Sequence, residues 1–177
     1  MGSVSVDFVA DIALGHDFRG AHWLRGVLAT EPAGIREVVV RYRDRWRVHE
    51  WLVEESADQP ASIVGPGGLV VRLSACTLQL YHLLRFSHFA AVADERELLR
   101  RACFVIASLV GSSRALYVHE LLPDGFHAGL DLDQIEARLR ADFGPPAATF
   151  AELAAGEDYG ARCWYVDDFA DFRIGSM

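Results

Sequence analysis

The sequence predicts an α+β fold, a mostly antiparallel sheet with helices packed on one face. Three observations lead there. Stretches of strand period and of helix period alternate irregularly, without the β–α–β rhythm of a parallel sheet. Glycine and proline breaks lie between them. The 177 residues, 51% apolar and 24% charged, suit one globular domain spanning 1–177.

Val4, Val6, Phe8 and Ala10 alternate along a first strand, Val4 to Ala13. Gly15-His16-Asp17 breaks it, and Asp17 is the expected cap of a helix running to about Thr30, ended by Pro32 and Gly34. From Val38 to Val53, β-branched and aromatic residues alternate with arginines. This predicts a hairpin with its tip at Asp44-Arg45. Glu54 to Pro66 reads as a loop closing on Gly65-Pro66-Gly67-Gly68, and a core strand, Leu69 to Leu73, follows. Leu78 to Phe89 has helical spacing that a strand could share. Asp94 to Val110 is the firmest helix, with Leu98, Leu99, Cys103, Ile106 and Leu109–Val110 on one face and Gly111 as C-cap. Ala115 to Val118 reads as a short buried strand. Asp131 or Asp133 caps a helix through Ile135, Leu139 and Phe143 that Gly144-Pro145-Pro146 ends. Phe150 to Ala155 has room for one or two helical turns. Cys163 to Val166 forms a last strand before an acidic segment.

Several chemistries are excluded outright. The chain has no lysine, hence no phosphate-loop lysine and no Schiff-base lysine, and no asparagine, hence no glycosylation sequon. Cys76, Cys103 and Cys163 show no C-x2-C spacing, and two lie in apolar settings as small hydrophobes. Reduced thiols, an N-terminus unlike a signal peptide and no membrane-length apolar run predict a cytoplasmic protein without membrane contact. None of the seven histidines, His16, His22, His49, His82, His88, His119 and His127, forms a metal-ligand motif, so no metal and no cofactor is expected. No catalytic residue is assigned: there is no G-x-S-x-G elbow, and Cys103 lacks an activating base in view. The Gly65–Gly68 run precedes a strand, which makes it a turn, not an anion cradle.

The net charge of −8 is uneven. Met1 to Leu116 carries thirteen acids and thirteen arginines, whereas Tyr117 to Met177 carries twelve acids against four arginines. Such a balance disfavours nucleic acid and favours a basic protein partner. Asp142, Trp164, Tyr165, Asp167, Asp168 and Asp171 are the expected contact residues, aromatic anchors within an acidic rim. The second candidate is the ladder Arg41, Arg43, Arg45 and Arg47 with His49. On one strand face it would grip an anionic ligand bidentately; otherwise it is the solvated outside of a hairpin.

The stretch Arg100-Arg101-Ala102-Cys103 through Gly111-Ser112-Ser113-Arg114-Ala115-Leu116-Tyr117, then Phe143-Gly144-Pro145-Pro146 and Trp164-Tyr165-Val166-Asp167-Asp168-Phe169, resembles uncharacterised bacterial immunity-protein domains of toxin–immunity systems. The resemblance implies a non-enzymatic domain that neutralises a basic toxin through an acidic C-terminal surface. The alternative is a small enzyme or ligand-binding domain built on the Arg41–Arg47 strand.

Overall fold

In a computed structural model of the chain, residues 7–119, 129–156 and 161–174 are described. The described strands form one antiparallel sheet in the order β2-β3-β4-β5-β1-β6-β7. They are β1 (Asp7–Ala13), β2 (Leu52–Ser56), β3 (Gln59–Val64), β4 (Leu69–Leu73), β5 (Thr77–Arg85), β6 (Ala115–His119) and β7 (Tyr165–Asp167). The class is the α+β class that the sequence predicts, with an antiparallel sheet, but helices pack on both of its faces and not on one. Val4 and Val6, expected at the start of β1, lie outside the described residues.

Interior strand β1, between β5 and β6, divides its side chains by strand period: Phe8, Ala10 and Ile12 enter the larger core, and Val9 the smaller core on the other face. The inner face is covered by α1 (Ala21–Ala29), α2 (Ala33–Tyr42), α3 (Phe86–Ala91) and α4 (Ala93–Val110), which supply Leu24, Ile35, Val38, Phe89, Leu99 and Ile106 to the core. On the outer face α5 (Leu132–Phe143) seals one half. Its Leu132, Ile135 and Leu139 pack on Val9, Leu116, Val118 and Trp164. Short helices α6 (Phe150–Ala155) and α7 (Ala170–Ile174) complete the described chain. No described helix is long and apolar enough to cross a membrane.

The expected hairpin at Val38–Val53 does not form: Val38–Tyr42 is the second half of α2, residues 43–50 are turns and bends, and Leu52–Val53 begin β2. Ile35, Val38, Val39 and Tyr42 are all buried, a spacing of three, four and seven that only a helix places on one side. Val40, which the alternation counted as a core residue, is 62% exposed. Pro32 is the N-cap of this helix, and the helix before it closes at Thr30, as expected. Gly34 lets α2 approach α4, since a Cβ there would meet the Arg101 carbonyl oxygen at 2.9 Å.

Three smaller expectations change as well. Asp17 does not cap α1, which starts behind Gly20, a residue at φ 100° that favours glycine. Glu54–Pro66 is mostly a hairpin, β2–β3, whose polar side chains hid its strand period. Leu78–Phe89 divides into β5 and then α3. By contrast α4 ends at Gly111 in the left-handed region as expected, and Asp131 forms a capping box with Gln134 at the start of α5.

Candidate functional site

Two acids of the C-terminal segment, Asp167 and Asp171, converge on one arginine. Asp167, 3% exposed, lies on β7 beneath α4. There Arg100 donates from Nε to Asp167 Oδ2 at 2.7 Å and from Nη2 to Oδ1 at 3.1 Å, a bidentate pair. The same guanidinium reaches both oxygens of Asp171, at 2.8 and 2.9 Å, and Glu97 at 3.0 Å. Tyr117 donates its hydroxyl to Asp167 at 2.7 Å, and the rings of Phe172 and Phe150 lie against the guanidinium.

One guanidinium thus holds three carboxylates, and the electrostatics follow. Burial alone would lower the Arg100 pKa, but its hydrogen bonds to Asp167 and Asp171 outweigh burial and hold the charge firmly on. Arg100 in turn keeps the Asp171 carboxyl below its ordinary range. Burial, with the Asp167 charge added, pushes the Cys103 thiol far up. Burial does the same to the Tyr117 phenol, helped by Cys103 and Asp167. Cys103 and Tyr117 therefore stay protonated, and the cluster works as a staple that fixes β7 and α7 onto α4.

This placement separates the expected contact residues. Trp164 is fully buried under α5, donating Nε1 to the Gly144 carbonyl at 3.2 Å, and Asp167 is enclosed, so neither lies at a surface. Tyr165 is half-buried, stacked on Phe150 at 4.2 Å between ring centres. Asp142 and Asp168 are exposed, and Asp168 accepts the Ala170 amide. Asp171 is exposed but committed to Arg100.

The arginine ladder does not form, because its strand is absent. Arg41 lies in the last turn of α2 and bonds Glu95 at 3.2 Å, while Arg43, Arg45 and Arg47 follow in turns and bends and are exposed. Arg45 lies 5.8 Å from the Tyr42 ring centre, and His49 is exposed.

His82 on β5 has a structural task. Leu84 N–H donates to its Nδ1 at 3.0 Å, so Nε2 carries the proton and donates to the Gly67 carbonyl at 2.9 Å. Burial brings its pKa down to about 4, so the ring is neutral near pH 7. It pins the Gly65–Gly68 turn, where Gly67 adopts φ 70° and a Cβ would meet the Val39 Cα at 2.8 Å. No group of three or more His, Cys, Asp or Glu suited to a metal occurs among the described residues. His127 lies outside them.

One surface was missed by sequence reasoning. Helix α5 covers the β1–β6 half of the outer face and leaves the β2–β4 half exposed. There the register aligns Leu52, Val64, Val70 and Tyr81 across four strands, beside a second row of Glu54, Ser62, Arg72 and Gln79. Leu52 is 49% exposed. A cleft of about 490 Å³ runs over this face between Glu54, Asp58, Ser62, Val64, Val70 and Arg72. Its trace in the sequence is the pairs Ile63-Val64 and Val70-Val71. Apolar neighbours along a strand give a sheet two apolar faces, and the helices cover only one of them here.

No protein-family model, curated protein or solved structure matches the chain.

Proposed function

We propose that this chain is a protein-binding domain for a basic partner, acting by neutralisation as immunity proteins do, and not a catalyst. The observation that carries the proposal is the charge excess that survives internal pairing. Ion pairs sum to zero, so they cannot remove the net −8. Moreover, Arg100 is shared by Glu97, Asp167 and Asp171, and Arg114 by Asp133 and Glu136. A negative field of that kind speeds encounter with a positive surface and repels phosphate backbones.

The test is affinity capture on the intact chain from its native host across a salt series. The expected outcome is a basic protein that binds at low salt and is released as the Debye length shrinks from roughly 10 Å at 0.1 M to about 3 Å at 1 M. Capture of acidic proteins alone, or binding indifferent to salt, would overturn the proposal.

A further inference from the structure

We infer that the partner docks on the outer face of β2–β4, not on the acidic C-terminal segment; the inference rests on the protein-binding proposal and gives it a surface. A docking surface combines an apolar floor that gains by losing water with charge that selects the partner. At the C-terminal end the two are separated: Trp164 and Cys163 are buried under α5, and Asp167 and Asp171 are held by Arg100. Over β2–β4 they coincide. Leu52, Val64 and Val70 form the floor, and Glu54 and Asp58 stand at its margin, in no ion pair among the described residues.

Arg72 is the cation on this patch, and its guanidinium lies over the Tyr81 ring, 5.2 Å from the centre, on the side toward β5. The charge gradient therefore runs from Arg72 to Glu54 and Asp58 at the β2–β3 hairpin, whereas Glu55 lies 3.6 Å from His22 of α1 and is not part of the patch. The occupant that fits is a protein segment presenting arginine or lysine toward Glu54 and Asp58, with an aliphatic or aromatic side chain seated on Val64 and Val70.

The experiment pans a random-peptide phage library on the intact chain, then measures selected peptides against two variants. One is Glu54→Arg with Asp58→Arg; the other is Asp142→Asn with Asp168→Asn. All four positions are exposed, so both variants should fold, and circular dichroism checks that they do. Expected are peptides rich in arginine or lysine with apolar neighbours, weakened about tenfold or more by the first variant and unchanged by the second. Loss with the second variant alone would move the site to the C-terminal acids, overturning this surface while leaving the protein-binding proposal intact. Failure to enrich any basic peptide would count against both.

Discussion

The two edges of the sheet are both acidic, and the chain uses them in opposite ways. At the β7 edge, Asp167 and Asp171 wrap around Arg100, so their charge is spent on holding the last segment to α4. At the β2 edge, Glu54 and Asp58 face solvent beside the exposed Leu52 and the half-buried Val64 and Val70. Composition treats the two alike. Whether a carboxylate serves the fold or an encounter depends on whether the topology places a guanidinium beneath it. The pins differ too: a charged arginine secures the β7 end, and a neutral histidine secures the glycine turn before β4.

Removing Arg100 is the sharpest way to break this comparison. Arg100→Met would leave Asp167 buried without its counter-charge, and breaking such a pair costs about 3–5 kcal/mol. Denaturant unfolding should show that loss, and adding Asp167→Asn to the variant should restore part of it. A loss below about 1 kcal/mol would mean that the cluster is a surface pair in effect.

The histidine pin predicts a pH dependence confined to the other region. With its folded pKa near 4 against 6.5 unfolded, His82 is protonated first in the unfolded chain. Its contribution is complete above about pH 6.5 and is lost as pH falls through about 4, roughly 3 kcal/mol in all. Asp171 has the same sign, its folded pKa being depressed, but its window lies lower, below the ordinary carboxylate range. Unfolding curves for the chain and for His82→Gln between those limits separate the two. If both lines kept the same slope, His82 would not be the titrating pin.

Much of the scaffold was legible in sequence because its cues are local. The α4 stripe with Gly111, the β4 and β6 strands and the Asp131 cap each lie within one window of the chain. The Val38–Val53 stretch failed because period 2 and period 3.6 coincide at Val38 and Tyr42, and the deciding facts, Val40 outside and Val39 inside, are tertiary. The Arg100 staple could not be read at all: it joins residues 67 and 71 positions apart, and nothing beside Arg100 announces Asp167. The outer face of β2–β4 left the trace of paired apolar neighbours, but its open half shows only once α5 is seen to cover the other.

A milder change tests how α5 divides the outer face. Asp131→Ala removes the capping oxygen from the Gln134 amide and should cost about 1 kcal/mol in thermal or denaturant unfolding. It loosens the covered half without touching the exposed one, so binding of a basic peptide should survive it at temperatures where the chain stays folded.

The smallest effect on stability belongs to the β2 edge, and it is the one that sharpens the contrast most. Glu54→Gln with Asp58→Asn removes two exposed charges while keeping side-chain size. Folding stability should therefore stay within about 0.5 kcal/mol of the parent. The association rate for a basic partner should fall, and its salt dependence should flatten, because steering charge acts mainly on encounter. Asp167→Asn should do the reverse, costing stability while leaving the association rate of the folded fraction unchanged. Stopped-flow association at two ionic strengths reads both variants. A pair of carboxylates whose loss slows encounter but spares folding belongs to the surface, whereas one whose loss unfolds the chain but spares encounter belongs to the scaffold. Equal behaviour of the two variants would dissolve the distinction between the edges.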